Sequence, residues 1–461
     1  MIALFTILTF GFYLASCQEG DSYSDMSIED ETEEEITFQI NPNQTLEEVL
    51  FVCPEDSEIL GTGLDIFSPT SGPEPEARNP FIDPVFGTCL VRVTDRNRDL
   101  SGNDPSSGLK NEYSRVQSFN ADGTLILVRG TEATWYIYDA DTLLPLGEIP
   151  LDVEPRWDSV DPYRIFFFED TSLFSYDLVE GKREILHDFS TDFPDFTLGA
   201  AWTRYEGSPS DDGSIFGLMI QDEDWEVVGF VIYDLDQDQV VARRIFPGGV
   251  EVDSVTISPS GKFFLAFFDT YCTEGRLGTE DSPCGLMVYD QKLSNGRGLL
   301  RIVGHADIAY SENGQEVLVY QDIDTDQISI VELINGKITP LTPIDFRHGS
   351  IGLHFSGRAF EFPGWVLVST YTGTATAKTW MDNQVFAIEL KPTGRIIRLA
   401  HTHSLVDENQ DHDYWAEPHA SVNQSFRRIL FTSNWGRSGT GEVEMYMIVL
   451  PEDWIISNGH Q

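Results

Sequence analysis

The chain has few basic residues, with 29 Lys and Arg against 76 Asp and Glu in 461 residues and a formal charge of −47. Proteins that bind duplex nucleic acid or anionic headgroups need a basic surface. The composition therefore excludes nucleic acid as a partner and direct contact with an anionic membrane surface. Hydrophobic residues make up 41% and aromatic residues 12%, which is enough to bury a large core.

Basic residues are absent between Met1 and Ala77. The apolar stretch from Met1 to Ser16 is shorter than the roughly 20 residues that span a bilayer. It ends in Leu14-Ala15-Ser16-Cys17, which resembles the lipobox of bacterial lipoproteins. The resemblance implies a signal peptide over 1–16, acylation of the Cys17 thiol and a lipid anchor in the cell envelope. The residue after the cysteine, a Gln, is typical of outer-membrane lipoproteins. A plain secretory signal is the alternative.

The segment after the signal is strongly acidic and lacks large apolar residues. Glu19–Glu35 holds nine acidic residues, and like charges at this density extend a chain and prevent it from folding. We therefore predict a disordered acidic tether over 17–45 and a folded domain over 46–455. Without the 17 acidic residues before Arg78, the rest of the chain still carries 59 acidic against 29 basic residues.

Cysteine is also rare, and four cysteines follow Cys17: Cys53, Cys89, Cys272 and Cys284. An even number in an exported chain favours two disulfides. The last two flank a loop rich in glycine and acidic residues, which is easily closed, and the first pair would tie the N-terminal segment to the body. All three pairings stay open on sequence grounds. No CxxC or Cys/His zinc spacing is present.

Long helical periodicity is absent after the signal, and short runs of Val, Ile, Phe and Tyr alternate with polar turns. A similar turn recurs about every 40 to 60 residues, a spacing that is typical of a propeller blade. The seven turns are Asn120–Thr124, Ser159–Tyr163, Ser210–Ser214, Ser258–Lys262, Ser311–Gln315, Phe362–Trp365 and Val422–Phe426. Each turn precedes an apolar run. We predict an all-β, seven-bladed β-propeller, with six or eight blades also open and a pair of β-sandwiches as the alternative. The strand Thr88–Asp95 is expected to complete the last blade.

Familiar catalytic motifs are missing: GxSxG, HExxH, a phosphate-binding glycine loop and GxGxxG after a strand. The nine histidines are more informative because several precede corresponding blade turns. His305 stands at the entry to the fifth blade, His348 and His354 at the sixth, and Glu417 and His419 at the seventh. Imidazole and carboxylate ligands at one channel mouth suit Mn, Zn or Fe cations. Ordinary structural histidines are the alternative, and His401 and His403 are interpreted that way.

Two families resemble parts of the body. The turn Ser258–Lys262 is similar to the repeats of TolB-type and WD40-like propellers, which indicates a fold and little about function. Residues 304–450 resemble oligogalacturonate lyases, which are seven-bladed propellers. The match is best in 417–436 and weaker at Gly304–Asp307 and Arg347-His348.

The lyase resemblance implies a divalent, manganese-like metal with His348 as first ligand and His419 as last. Glu417 stands where the family has a further histidine, and Tyr414 falls near the family's glutamine. His305 would be the catalytic base, and Arg276 would neutralise the uronate. Four other arginines are candidates to offset the acidic surface at the channel mouth: Arg115, Arg156, Arg204 and Arg347.

The expected function is metal-dependent lysis of a uronate-containing oligosaccharide by β-elimination, in a monomeric lipoprotein that touches the membrane only through its anchor. The acidic body repels such a substrate, although salt limits that repulsion to short range. The rival is a non-catalytic, TolB-like propeller that binds a protein or glycan partner. The sequence leaves both open.

Overall fold

A computed structural model describes residues 38–41, 50–55, 57, 59, 63–345, 352–407, 409–452 and 454. These residues build seven antiparallel sheets, so the predicted seven-bladed β-propeller is confirmed. Two short strands and one helical turn precede the first blade: β1 (Phe81–Ile82), β2 (Cys89–Arg92) and α1 (Arg96–Asp99). None of the described helices has the length and apolar character that a membrane crossing requires.

The first four blades follow in chain order. Their strands are β3 (Leu109–Lys110), β4 (Leu125–Gly130), β5 (Trp135–Asp139) and β6 (Pro145–Ile149); β7 (Val153–Trp157), β8 (Arg164–Glu169), β9 (Ser172–Asp177) and β10 (Lys182–Asp188); β11 (Leu198–Trp202), β12 (Ile215–Asp222), β13 (Val227–Asp234) and β14 (Gln239–Val250); β15 (Val252–Ile257), β16 (Phe263–Phe268), β17 (Leu286–Asp290) and β18 (Arg297–Leu300). A 3-10 helix, Phe189–Asp192, joins the second blade to the third.

The last three blades repeat the arrangement. Their strands are β19 (Ala306–Tyr310), β20 (Glu316–Asp322), β21 (Gln327–Glu332) and β22 (Ile338–Pro343); β23 (Gly352–Ser356), β24 (Trp365–Tyr371), β25 (Gln384–Glu389) and β26 (Ile396–His401); β27 (Ser421–Val422), β28 (Arg428–Ser433) and β29 (Glu444–Val449). A second 3-10 helix, Asp411–Ala416, precedes β27.

The apolar runs have no polar alternation because each inner strand is buried on both faces. In β4, Leu125 and Leu127 pack into the core that the first blade shares with the second. Ile126 and Val128 point the other way, into the core shared with the seventh blade. Successive strand residues face opposite sides of a sheet, so a sheet packed between two others needs an apolar residue at every position.

The recurring turn joins the first and second strands in all seven blades. Its opening residue caps the strand that follows, since the Asn120 side chain accepts from the Leu125 N–H and the Ser258 hydroxyl accepts from the Phe263 N–H. The glycine of the turn sits in the left-handed region, with φ of 69° at Gly261, where a Cβ atom would be strained. These two requirements explain the recurring sequence.

The ring closes where the N-terminal strand joins the C-terminal blade. Strand β2 pairs antiparallel with β29, with Cys89 opposite Val449, as the sequence predicts. The Cys53–Cys89 disulfide ties the preceding segment to this closing strand, and Cys272–Cys284 closes the loop between β16 and β17. Both favoured pairings are therefore confirmed.

The signal 1–16, Cys17 and most of the predicted tether lie outside the described residues. The described residues of that predicted tether, 38–41, lie against the outer part of the first two blades. The Ile40 N–H donates to the Leu178 carbonyl at 2.8 Å, and the Phe38 ring lies against Gly147. The chain is thus already bound to the propeller before residue 46.

The first strand of each blade lines the central channel. Contacts cross this channel between blades that are not neighbours: the Ser208 hydroxyl donates to the Arg115 carbonyl at 3.2 Å, and the Tyr113 hydroxyl lies 3.1 Å from Nδ1 of His305. The seven first strands run in the same direction around the axis. Residues at their N-terminal ends therefore meet at one mouth, and residues at their C-terminal ends meet at the other.

Candidate metal centre

Three blades bring histidines to the mouth where the first strands begin. His305 directly precedes β19, His354 is the third residue of β23, and His419 lies two residues before β27. The backbone of His419 is in the left-handed region, with φ of 42°, a strain that proteins retain mainly at functional sites. Tyr113, His305, His354, Glu417 and His419 are called the histidine mouth below.

His354, Glu417 and His419 place one nitrogen or oxygen atom each within 4.8 Å of one another. One Glu417 oxygen lies 3.2 Å from Nε2 of His354 and 3.4 Å from Nε2 of His419. The two imidazole rings are 4.3 Å apart, nearly perpendicular. Two nitrogens and one carboxylate oxygen, converging at this spacing, are a donor set that suits Mn, Fe or Zn cations.

Burial keeps these imidazoles uncharged. Both side chains are 1% exposed. Desolvation lowers the pKa of His354 to about 3, with the nearby Arg115 and Lys110 acting in the same direction. Desolvation also lowers the pKa of His419 well below its ordinary value. A neutral imidazole is the form that binds a metal.

The ring nitrogens supply the test of whether a cation fits. Among the described residues, Nδ1 of His354 and both ring nitrogens of His419 are buried without a hydrogen-bond partner. Buried polar atoms of this kind are rare in folded proteins and call for a partner that the chain does not provide. A cation beside the Glu417 oxygen would take Nε2 of both histidines as ligands and would satisfy the unpartnered Nε2 of His419, so the residues fit a divalent metal.

Two neighbours hold the Glu417 carboxylate in place. The Tyr371 hydroxyl hydrogen-bonds with it, and burial together with this carboxylate raises the pKa of Tyr371 well above its ordinary value. Lys110 is buried nearby, and desolvation lowers its pKa to about 8 while Glu112 and Glu417 act against the shift. Partners that orient a metal-binding carboxylate tune its affinity.

His305 lies beside the three possible ligands. Its ring centroid is 4.5 Å from that of His354, and Nδ1 is 3.1 Å from the Tyr113 hydroxyl. Desolvation, followed by the effect of His354, lowers its pKa to about 3. The imidazole is therefore neutral and keeps a lone pair that can accept a proton, but so low a pKa makes it a weak base.

The other predicted site residues are distributed as follows. His348 lies outside the described residues, and His354, on the same blade, is the histidine that the structure brings to Glu417 and His419. The Tyr414 ring lies 5.9 Å from that of His419 and is half exposed. Arg276 is exposed on the loop closed by the Cys272–Cys284 disulfide. This loop follows β16, so it emerges on the face of the histidine mouth, but no described contact joins Arg276 to the cluster.

Arg115 is the arginine that acts on the histidine mouth. Its side chain is 7% exposed, pairs with Glu206 at 2.7 Å and lies 5.7 Å from the Tyr113 ring. It also lowers the pKa of both His305 and His354. Arg115 is one of the four arginines that the sequence offers for this mouth, and Arg347 lies outside the described residues. The ion pair with Glu206 of the third blade is what brings Arg115 to the histidine mouth.

His401 and His403 have structural roles, as the sequence analysis expects. Nε2 of His401 lies 3.1 Å from the Phe67 carbonyl oxygen. His403 stacks on Trp435 with centroids 3.9 Å apart. Neither belongs to the histidine mouth.

The sequence analysis missed Tyr113 and Tyr371. Tyr113 comes after β3, whereas His305 and His419 precede the first strands of their blades, so the entry position does not find it. Tyr371 ends β24, a second strand, and reaches Glu417 only because neighbouring sheets pack closely. No sequence signal indicates that contact.

Aromatic side chains lie on the same face, on the third blade. The Trp202 ring packs 5.3 Å from Tyr205 and 6.1 Å from Trp225. Trp225 is 61% exposed on the hairpin between β12 and β13, and Tyr205 is half exposed. Burial raises the pKa of Tyr205, on which Arg129 and Glu154 of the first two blades also act. Exposed aromatic faces near a channel mouth can stack against sugar rings.

Comparison with solved structures identifies the fold. Oligogalacturonate lyase from Vibrio parahaemolyticus aligns with 87% of this chain and 100% of its own, at 14% identity and a TM-score of 0.55. Hydrazine synthase from Kuenenia stuttgartiensis aligns with 75% of this chain and 98% of its own, at 13% identity and a TM-score of 0.45. The predicted resemblance to a lyase-type propeller is thereby confirmed at the level of the fold. No protein-family model and no curated protein matches the chain.

Proposed function

We propose that the histidine mouth binds a divalent cation and a uronate-containing oligosaccharide, and that it cleaves the saccharide by β-elimination. The observation that carries this proposal is the convergence of His354, Glu417 and His419 with buried, unpartnered ring nitrogens. The similarity in fold to an oligogalacturonate lyase is consistent with it.

When bound, a divalent cation supplies an electrophile that stabilises the charge that develops on a uronate carboxylate. The residues of the chain supply the proton transfer. When Nδ1 of His305 donates to the Tyr113 oxygen, Nε2 keeps a free lone pair that can accept the C5 proton of the sugar. The electron pair of the C5–H bond then forms the C4–C5 double bond as the C4–O4 bond breaks, and the leaving sugar oxygen takes a proton from water.

Arg115 is the group best suited to a second carboxylate oxygen of the substrate. Glu206 pairs with one terminal nitrogen of Arg115 at 2.7 Å. The Nε of Arg115 is buried without a hydrogen-bond partner among the described residues. Guanidinium groups recognise carboxylates through paired N–H donors. Trp202, Tyr205 and Trp225 offer a platform for neighbouring sugars on the same face.

Metal analysis is the first test, since it separates this proposal from a non-catalytic propeller that binds a protein or glycan. We expect about one equivalent of Mn, Fe or Zn in the purified full chain. The double variant His354→Ala with His419→Ala should retain none. The matched control is His187→Ala, a histidine that lies between Asp192 and Asp238 on another blade. A wild-type protein that binds no metal after incubation with each cation contradicts the proposal.

Catalysis is tested separately on the metal-loaded protein. Polyuronates and their oligomers are incubated with wild type, and the ultraviolet absorbance of the unsaturated uronate is followed. Absorbance that grows in wild type and not in the double variant supports a lyase. Bound metal without product on any uronate leaves the binding role and removes the β-elimination.

The proposal includes the envelope location. The two disulfides are typical of an exported protein. The lipobox-like Cys17 would supply the anchor. Mass spectrometry of the mature N-terminus should find a diacylated cysteine. A mature chain that begins at any other residue contradicts lipidation.

A further inference from the structure

The opposite mouth of the channel holds a second polar cavity. Residues from five blades line it. These residues follow the C-terminal ends of the first strands or lie near them, whereas the histidine mouth lies at the N-terminal ends. Arg156, Asp158, Asp211, Arg358 and Gln424 are called the arginine mouth below.

Arg358 is a buried cation that the chain leaves largely unsatisfied. The residue is 8% exposed, and its Nε has no hydrogen-bond partner among the described residues. One terminal nitrogen lies 3.5 Å from the Pro209 carbonyl oxygen, at the limit of a hydrogen bond, and the guanidinium lies over the Phe360 ring at 4.6 Å. A guanidinium has five N–H donors, and within the described part of the chain the Pro209 carbonyl oxygen is the only hydrogen-bond acceptor of Arg358.

The nearest carboxylates do not fill this gap. Asp307 accepts backbone N–H groups from Gly357 and Ile308 at 2.7 and 2.8 Å. Asp307 and Asp211 act on Arg358 electrostatically, but within the described part of the chain neither forms an ion pair with it. Asp158 accepts from the Val160 and Asp161 N–H groups and lies 3.6 Å from Arg164.

Two other buried arginines of this chain have hydrogen-bond acceptors for their guanidinium groups. Arg156, beside the same cavity, donates to the carbonyl oxygens of Gly207, Pro155 and Tyr205 at 2.9 to 3.0 Å. Arg398 donates to Gln384, Asp65 and Trp380. A buried charge without such partners is strongly unfavourable, so Arg358 differs from them in a way that packing does not explain.

The geometry points to a small-oxyanion site at the arginine mouth, with Arg358 as the main ligand and Arg156 as a second cation. The planar fork of Arg358 suits a carboxylate or a phosphate group, which it can bind through two parallel hydrogen bonds. Gln424 and Ser159 line the same cavity and offer amide and hydroxyl donors. This site does not depend on the function proposed for the histidine mouth.

The position of the cavity predicts what a bound anion does. Its lining comes from the first, second, third, sixth and seventh blades. An anion held there contacts blades that are not neighbours in the ring, so it should stabilise the whole propeller. A ligand that binds only the folded state stabilises it by RT ln(1 + [L]/Kd), so the melting temperature rises with the logarithm of the ligand concentration above Kd.

The test is thermal unfolding of the full chain with phosphate, acetate or galacturonate at millimolar concentration and constant ionic strength. We expect the Tm of wild type to rise by about 3 °C near saturation. Arg358→Gln should lose this rise, while Arg98→Gln, at an arginine whose side chain is 80% exposed, should keep it. Comparing variants at the same anion concentration removes the general stabilisation that phosphate gives to any protein. A rise with phosphate alone or with carboxylates alone identifies the oxyanion.

Without added anion, Arg358→Gln should be at least as stable as wild type, because the variant no longer buries an unsatisfied charge. An Arg358→Gln protein that is less stable than wild type, and a wild type that does not respond to any anion, would show a purely structural arginine. Calorimetric titration of wild type and Arg358→Lys provides a second measurement that does not need the Gln variant to fold. We expect about tenfold weaker phosphate binding by Lys, and equal affinity contradicts the role of the guanidinium fork.

Discussion

The two mouths of the channel are built from opposite ends of the same seven strands, and they bury polar groups in opposite ways. At the histidine mouth, burial lowers the pKa values of His305 and His354 to about 3, so the rings stay neutral. At the arginine mouth, Arg358 is buried as deeply, but a guanidinium keeps its proton in any protein environment.

This difference determines which ligand each mouth favours. A neutral nitrogen lone pair attracts a cation or a proton, whereas an unsatisfied guanidinium attracts an anion. The chain carries a formal charge of −47, yet the arginine mouth presents a buried cation. Local burial and hydrogen bonding therefore decide binding at short range, where the solvent does not screen them.

The largest expected effect separates the base from the possible metal ligands. His305→Ala should lower kcat on a cleavable uronate by about 10² to 10⁴-fold, because the proton acceptor is lost, while metal content stays at the wild-type level. Elemental analysis and steady-state kinetics measure both. Loss of the metal together with activity would make His305 a ligand, and His187→Gln serves as the control.

The closing disulfide should affect both mouths together. In the chain-entropy relation, removing Cys53–Cys89, with its separation of 36 residues, costs about 4 kcal/mol of stability, and removing Cys272–Cys284, with 12, costs about 3 kcal/mol. Paired Cys→Ser variants in urea measure the difference. We expect the first pair to weaken metal and anion binding alike, since it holds the strand that closes the ring. Equal stability of the two variants contradicts this ranking.

Acidification should lower the contribution of His354 to folding stability and raise that of Asp307. The folded pKa of His354, about 3, lies below its ordinary 6.5, so the unfolded chain binds the proton first and stability falls as pH drops from 6.5 towards 3. The folded pKa of Asp307, which acts on Arg358, is raised by burial from 3.8 to about 6. The folded chain therefore binds that proton first, and this contribution to stability grows as pH falls from 6 towards 3.8.

Urea unfolding at pH 6.5 and 4.5 with a chelator measures these slopes. His354→Gln should lose less stability on acidification than wild type, and Asp307→Asn should lose more, by at most about 1.4 kcal/mol per pH unit for each group. The comparison uses slopes because either substitution also changes stability at a fixed pH. Slopes that shift in the same direction for both variants contradict the assignment.

The smallest effect concerns the aromatic platform. Trp225→Ala should raise KM for a uronate oligomer by about 3 to 10-fold with kcat unchanged, since a stacking contact contributes about 1 kcal/mol. The effect should vanish on a substrate too short to reach the third blade. Trp454, buried in the core between the sixth and seventh blades, is the opposite case, and Trp454→Ala is expected to lower stability.

Much of the fold could be predicted because each blade carries its own local signals. Asn120 and Ser258 cap the following strand through a side-chain oxygen that accepts from a backbone N–H five residues later. The turn glycine adopts the positive φ that the same turn requires. Such interactions are short in sequence, so they recur visibly. The pairing of β2 with β29 was predictable because an unpaired edge strand at each terminus has one natural partner.

The candidate sites were only half predictable. The entry positions indicated His305, His354, Glu417 and His419, which the structure brings together, while His348, the first ligand that the lyase resemblance implies, lies outside the described residues. Lipidation at Cys17 and the role of Arg276 stay predictions. Arg358 carried no signal, since a single arginine after a strand is ordinary until its surroundings are known.

The sequence was enough to predict a propeller with seven blades favoured over six or eight, its closing strand, and the strand end that carries the histidines of the last three blades. Local hydrogen bonds and alternating burial act over a few residues, and they leave their pattern in the chain. Only the tertiary structure decided which side chains meet, because Tyr113 reaches His305 and Arg358 reaches Pro209 across the channel. The distances between those blades depend on how all seven sheets pack, and burial there decides whether a group is neutral, paired or left to bind a ligand.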